Sequence, residues 1–349
     1  MKTKIYLFAA IVSAIISMKT QIHPGNSLVV PEFGTGLIKT YVPNGAFQVI
    51  AKPNFTINLK TLPNGLATTA STNAVAMYNN DLFVSLTKDN QRIYKFPNYG
   101  SDPVQSIANV SQVTNLSSDY VGIAFDSMGN LYASEGPAYL NTNIYKYTIA
   151  DNYATRINLG NGGVTSYFSN ITFDAAGNLW ASDYLNNRIV AIKTANLNTV
   201  GAQMHSFYTN SLSWAANGGV ASNDDVNLKS KNIVRLFNLP GRVAFDNQGN
   251  LWVANNSDNT VNAAGTIVKI TPTKLHQILA VKGGFSALPN ESNSATGFYI
   301  WNLPNGPNRH PKLGGMQIDK AKARLYVSDQ NNGSGMWFRS ADWHFSTVL

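Results

Sequence analysis

The chain has 349 residues, of which 44% are hydrophobic and 13% charged, with a formal net charge of +8 and no cysteine. That is enough apolar material for a large core and too little charge for a disordered chain. The missing cysteines exclude disulfides, thiolate-held zinc and thiol catalysis, and the scattered basic residues argue against a nucleic-acid patch.

Met1 to Lys4 form a short basic start, and Ile5 to Ile16 are apolar apart from Ser13. The apolar run is too short to span a bilayer, which takes about 20 helical residues. Residues 1–20 therefore read as a signal peptide. The remaining 21–349 are expected to form a single domain with no membrane span after signal removal. Its place is then outside the cytoplasm: secreted, periplasmic or in the cell envelope.

Residues 28–67 are about one repeat long and hold two strand-like runs, LIKTYV (37–42) and FQVIA (47–51). From there the chain repeats. AVAMYNNDLFVSL (74–86) is a weak copy of GIAFDSMGNLYASE (122–135), NITFDAAGNLWASD (170–183), RVAFDNQGNLWVAN (242–255) and GMQIDKAKARLYVSD (315–329). Each copy has two alternating apolar runs around a short Asp/Gly/Asn turn, which is the pattern of a β-hairpin.

Each shared position has a physical role. Phe125, Phe173, Phe245 and Ile318 close the first strand, and Asp126, Asp174, Asp246 and Asp319 follow them. Those carboxylates can accept N–H bonds within the turn. Gly129, Gly177 and Gly249 tolerate positive φ there. A leucine opens the second strand and an aromatic residue follows it: Tyr132, Trp180, Trp252 and Tyr326. Trp180 and Trp252 share one repeat position and are expected to pack between blades.

A third strand follows as RIYKF (92–96), NIYKY (143–147), RIVAI (188–192), TIVKI (266–270) and MWFRS (336–340). SYF (166–168) and QILAV (277–281) are candidates for the irregular fourth strand. The second-strand leucines lie 49, 48, 72 and 74 residues apart. A repeat near 48 residues with four strands is the signature of a propeller blade. The expected fold is all-β: a six-bladed β-propeller of four-stranded antiparallel blades, with seven blades as the alternative. The two long steps read as a blade plus an insertion each, near 212–235 and 286–312. In a closed ring the N-terminal segment can also supply the last blade's outer strand.

ITFDAAGNLWASDYLNNRIVAIK (171–193) resembles an NHL repeat, and the likeness covers roughly residues 70 to 340. The same superfold holds SMP-30/gluconolactonase-like hydrolases and virginiamycin B lyase-like enzymes beside pure binding modules. It therefore implies a fold more than a function. In the SMP-30-like relatives a divalent metal sits in the channel. The positions that match its ligands are Thr72, Val121, Ser169, Gly241 and Gly314, none of them a carboxylate or amide. A shift of one residue brings Asn73 or Asn170 into play. A lyase would need His and Glu near the channel mouth. The five histidines, His23, His205, His276, His310 and His344, form no paired spacing.

Glu135, Asp183, Asn255 and Asp329 end the second strands, with Leu86 breaking the series. Their plain reading is structural, binding the loop that follows and pairing locally with Arg92 and Arg188. Their sharper reading is a ligand-binding ring at the channel mouth, able to take Ca2+ or another divalent cation. In and beside the insertions Trp214, Trp301, Arg309 and His310 are further ligand-binding candidates. No catalytic residue and no resident metal or cofactor is assigned. The expected function is an exported, monomeric binding or scaffold module for a protein, glycan or envelope ligand. The alternative is a metal-dependent lactonase, hydrolase or lyase with its site at the channel mouth.

Overall fold

The computed structural model describes residues 21–23, 27–32, 36–41, 55–62, 71–87, 92–113, 118–136, 142–161, 166–208, 237, 239–256, 266–280, 298–302, 313–319, 324–329, 334–339 and 345–348. Among them the strands pair into four-stranded sheets, six in all. The first sheet holds β1 (Gln21–His23), β2 (Ser27–Glu32), β3 (Leu37–Tyr41) and β4 (Phe55–Asn58). The second holds β5 (Ser71–Tyr78), β6 (Asp81–Thr87), β7 (Ile93–Phe96) and β8 (Ser111–Gln112). The third holds β9 (Tyr120–Phe125), β10 (Leu131–Glu135), β11 (Ile144–Tyr147) and β12 (Arg156–Gly160). The fourth holds β13 (Phe168–Phe173), β14 (Leu179–Asp183), β15 (Arg188–Ile192) and β16 (His205–Tyr208). The fifth holds β17 (Pro240–Phe245), β18 (Leu251–Asn255), β19 (Thr266–Ile270) and β20 (Phe298–Asn302). The sixth holds β21 (Leu313–Asp319), β22 (Arg324–Asp329), β23 (Ser334–Arg339) and β24 (Phe345–Val348).

Within every sheet the strands follow sequence order, as hairpin after hairpin. This meander of four-stranded antiparallel sheets is a β-propeller. The chain divides into two compact units. One comprises Met1–Leu131, Tyr147–Arg156 and Gly314–Leu349, and the other Tyr132–Lys146 and Ile157–Leu313, so the boundary passes through the third sheet.

Three expectations about the outer strands are corrected. The first sheet is built from 21–58 and the sixth from 313–348, so among the described residues the N-terminal segment lends the last blade no strand. QILAV does not extend: 277–280 belong to the α-helix Pro272–Ala280. Leu275, Ile278 and Leu279 are buried there at helical spacing, and proline at the first helical position is pre-set for a helix. SYF supplies Phe168 to the opening of β13, an inner strand and not an outer one. The fifth sheet takes its outer strand from within 286–312: β20 pairs with β19, with Trp301 opposite Ile267. Residues 298–302 of that stretch are therefore a blade strand and not insertion. FQVIA and 212–235 lie outside the described residues.

The turn chemistry is as the repeat implies. The loops at Asp126, Asp174 and Asp246 are three-residue hairpins, each closed by an aspartate N–H bonded to the Asn130, Asn178 or Asn250 carbonyl at 3.1 Å. In each, the aspartate Oδ1 accepts the asparagine N–H at 2.9 Å. Its Oδ2 accepts the asparagine side-chain amide at 2.8–2.9 Å. In the fourth and fifth sheets Oδ2 also accepts the Trp180 or Trp252 indole N–H at 2.9 Å. One carboxylate thus fixes the turn and the rotamer of the core aromatic beyond it.

Gly129 carries φ +87°, and a Cβ there would lie 2.6 Å from the Tyr78 ring. Gly201 has φ +65° with nothing within 4 Å of a built Cβ. Gly129→Ala is therefore expected to cost about 2–3 kcal/mol, combining left-handed strain with overpacking, and Gly201→Ala only the strain, about 1 kcal/mol. Urea titration of the two variants measures the difference.

The core lies between neighbouring sheets. A second-strand aromatic meets the first-strand phenylalanine of the next sheet in three successive places. Within the first unit Phe83 meets Phe125 at 4.6 Å. Within the second, Tyr132 meets Phe173 at 4.8 Å and Trp180 meets Phe245 at 6.0 Å. On the third strand a lysine lies over the same aromatic: Lys95 over Phe83, Lys146 over Tyr132 and Lys269 over Trp252, at 5.6–5.8 Å from the ring centres. This cation–π rung is missing at Trp180, whose cross-strand neighbour is Ala191.

Candidate functional site

Three members of the second-strand ring have described side chains, and each bonds toward the start of its third strand. Glu135 accepts from the Asn143 backbone and side-chain N–H groups at 3.1 and 3.2 Å. Asp183, with 0% of its surface exposed, accepts the Tyr167 N–H at 3.1 Å, the Asn186 amide at 2.8 Å and the Arg188 Nε at 2.8 Å. Arg188 is buried too, and its remaining nitrogens reach the Ser206 and Ser166 hydroxyls. The Asn255 amide donates to Thr266 Oγ1 at 2.8 Å. Asp329 pairs in register with Ser334 on the neighbouring strand. Arg92, expected to pair locally, donates to Gln112 Oε1.

The inner strands also spend their polar groups on neighbours. β5, β13 and β17 each carry a bulge, at Asn73, Ser169 and Gly241. The Asn73 amide donates to Asp119 Oδ1 at 2.8 Å, within the first unit. Asn170 Oδ1 accepts the Val243 N–H at 3.0 Å, within the second. Both positions that a one-residue shift would recruit for a cation thus join one sheet to the next. Ser169 Oγ donates toward the Pro240 and Gly241 carbonyls at 3.0 and 3.1 Å. Among the described residues no three His, Asp or Glu side chains converge as metal ligands do. His205 lies in β16 and is buried, not on a loop. Trp214, Arg309 and His310 lie outside the described residues, and Trp301 sits in β20.

A different set of residues gathers where the second strands of the second unit turn back. The tight turn Tyr184–Asn187 links β14 to β15. The Tyr184 N–H donates to the Tyr167 carbonyl at 2.8 Å. The two rings meet edge to face, 5.6 Å between centroids with a 64° interplanar angle. Both are partly exposed, and Leu185 beside them is 47% exposed. Burial pushes the Tyr184 phenol above its usual pKa.

Across from this turn, Asn187 Oδ1 accepts the Leu239 N–H at 2.7 Å. The Leu239 carbonyl accepts the Asn256 N–H at 3.2 Å. Asn187 and Leu239 both have left-handed backbone, φ +50° and +48°. For leucine this costs about 1–2 kcal/mol, a strain that collects at functional sites. Three residues on, Arg242 is buried and donates to the Ser169 and Gly241 carbonyls at 2.9 and 2.6 Å. Burial lowers its pKa to about 10, so it remains a cation at neutral pH.

Sequence reasoning missed Tyr167, Tyr184, Leu239 and Arg242, because none occupies a shared repeat position.

No protein-family model and no curated protein matches the chain. Solved structures do. A catalytically inactive virginiamycin B lyase from Staphylococcus aureus with quinupristin is 14% identical, over 96% of this chain and 84% of that one, with a TM-score of 0.57. A luciferin-regenerating enzyme is 12% identical over 95% and 87%, also with a TM-score of 0.57. A nidogen/laminin complex is 14% identical over 90% and 89%, with a TM-score of 0.53. At such identities the likeness is one of fold alone, a β-propeller.

Proposed function

We propose that the chain is an exported, monomeric, six-bladed propeller that acts as a binding module. It takes a protein, glycan or cell-envelope ligand on the loops that join second to third strands. The observation that carries this reading is the division of labour among polar groups. Glu135, Asp183 and Asn255 are engaged in closing their own hairpins, and Asn73 and Asn170 in joining sheets. Partly exposed tyrosines and an exposed leucine lie at the same end of the fourth sheet. Exposed tyrosine with an apolar neighbour is a common composition of a recognition surface. Nidogen in complex with laminin sets a precedent for binding on this fold, and the lyase with quinupristin sets one for catalysis.

The two functions separate in a metal assay. A lactonase-like site would hold a cation, and a bound cation at 100 times its Kd adds about 2.7 kcal/mol to stability. Elemental analysis of the purified protein is expected to find no stoichiometric Ca2+ or Zn2+, and chelator is expected to leave the urea midpoint in place. A stoichiometric cation whose removal lowers that midpoint would overturn the binding-module reading in favour of the hydrolase.

A further inference from the structure

The charge behind the Tyr167–Tyr184 corner narrows the ligand. We infer that the corner receives an acidic segment of a partner protein, an assignment that rests on the binding-module reading above and names its ligand class. The two rings and Leu185 take the apolar side chains of that segment, and Arg242 supplies the opposing charge.

Three observations support the assignment. First, Arg242 is tied to both halves of the corner. Its Nη1 donates to the Ser169 carbonyl at 2.9 Å, two residues along the chain from Tyr167. It follows Leu239 by three residues, and the Leu239 N–H holds Asn187 at the end of the Tyr184–Asn187 turn. The guanidinium and the Tyr167 phenol act on one another electrostatically. Second, the described charges bonded into the corner leave a positive excess. Asp183, which holds the Tyr167 N–H, is paired with Arg188 at 2.8 Å, so those two cancel. Arg242 is bonded to the Ser169 and Gly241 carbonyls, dipoles that carry no formal charge. It is 8% exposed. A cation placed so is screened less by water and salt than one on the surface, and its field reaches an anion at the partly exposed phenol beside it. An acidic side chain there accepts the tyrosine O–H and lies within that field. Third, the turn sets apolar surface next to the charge. Leu185 is 47% exposed, and the two partly exposed rings meet at 64°, a corner and not a flat stack. A free phosphate or a small carboxylate answers the charge and leaves this surface bare. An acidic residue with an apolar neighbour in the same segment answers both.

The test is fluorescence anisotropy of the full chain with two labelled random copolymers, glutamate–tyrosine and lysine–tyrosine. The first is expected to bind and the second not. Tyr184→Ala and Arg242→Met are each expected to weaken binding of the first about tenfold or more, the loss typical of a recognition hot spot. Lys60→Met removes the same charge from an exposed position of the first unit and is expected to change it little. Circular dichroism and a urea titration establish that each variant is folded. Tyr184→Ala and the contrast between copolymers keep the test decisive if Arg242→Met does not fold. Equal binding of the two copolymers would overturn the acidic ligand, as would binding unchanged by Tyr184→Ala. Equal weakening by Lys60→Met and Arg242→Met would also overturn it, assigning the attraction to the charge of the whole chain. A displayed random-peptide library separates the two levels. Peptides without acidic residues that bind the native chain and are lost in Tyr184→Ala, with the glutamate–tyrosine copolymer unbound, overturn the acidic ligand but keep the binding surface. Peptide and copolymer binding both indifferent to Tyr184→Ala remove the surface as well.

Discussion

Asp183→Ala is expected to destabilise the protein by about 3–5 kcal/mol, a large part of the stability of an ordinary domain. Asp183 is buried, and its two oxygens accept from three donors: the Tyr167 N–H, the Asn186 amide and Arg188 Nε. Removing it strips the buried Arg188 of its carboxylate, and the Ser166 and Ser206 hydroxyls that remain on the guanidinium carry no formal charge. Breaking one side of a buried pair costs more than the pair contributes, because a desolvated charge is left behind. The double variant Asp183→Ala with Arg188→Met is therefore expected to be more stable than Asp183→Ala alone. Urea unfolding of the native protein, Asp183→Ala, Arg188→Met and the double variant measures this. A double variant as unstable as the sum of both single changes would show that packing, and not the stranded charge, sets the cost.

Trp180→Ala is expected to cost a similar amount, about 3–5 kcal/mol. Its indole is 0% exposed, touches Phe245 of the next sheet and donates to Asp174 Oδ2 at 2.9 Å. Truncation opens a cavity between two sheets and leaves the turn carboxylate without one donor. Trp180→Phe keeps most of the volume and loses the indole N–H, so about 1–2 kcal/mol is expected. Thermal unfolding of the two variants separates the cavity from the hydrogen bond. Equal losses in both would assign the whole effect to the Asp174 bond.

Most of the fold could be read from the chain because its repeat writes the same physics several times. Asp174, Gly177, Asn178, Leu179 and Trp180 each have one local reason to be where they are, and the same reasons recur at Asp246 to Trp252. The turn needs a left-handed glycine, the carboxylate needs donors, and the aromatic needs a neighbouring sheet. Outer strands escaped this logic. They pair on one side only, so their sequences are free to drift. QILAV has strand-like composition, yet Leu275, Ile278 and Leu279 follow helical spacing after Pro272. β20 lay hidden in a stretch rich in Asn, Gly and Pro.

The site followed the opposite rule. The polar ring at Glu135, Asp183 and Asn255 caught the eye because it repeats, and for that reason it serves the repeat. A residue present in every blade answers a need of every blade. Tyr167, Tyr184 and Leu239 break the pattern, and single residues outside a period leave no signal in one sequence. Their significance came from bonds between distant positions, such as Asn187 to Leu239, 52 residues apart.

The central claim is that shared positions hold the fold and unshared ones carry recognition. Two variants measured side by side test it: Asp246→Ala, at a shared turn, and Tyr184→Ala, outside the repeat. For each, the urea midpoint and the binding of the glutamate–tyrosine copolymer are recorded. Asp246→Ala loses the bonds to Asn250 and Trp252 and is expected to lower the midpoint while retaining the ligand. Tyr184→Ala is expected to lose the ligand with the smaller change in midpoint. Ligand lost in folded Asp246→Ala and kept in Tyr184→Ala would contradict the claim.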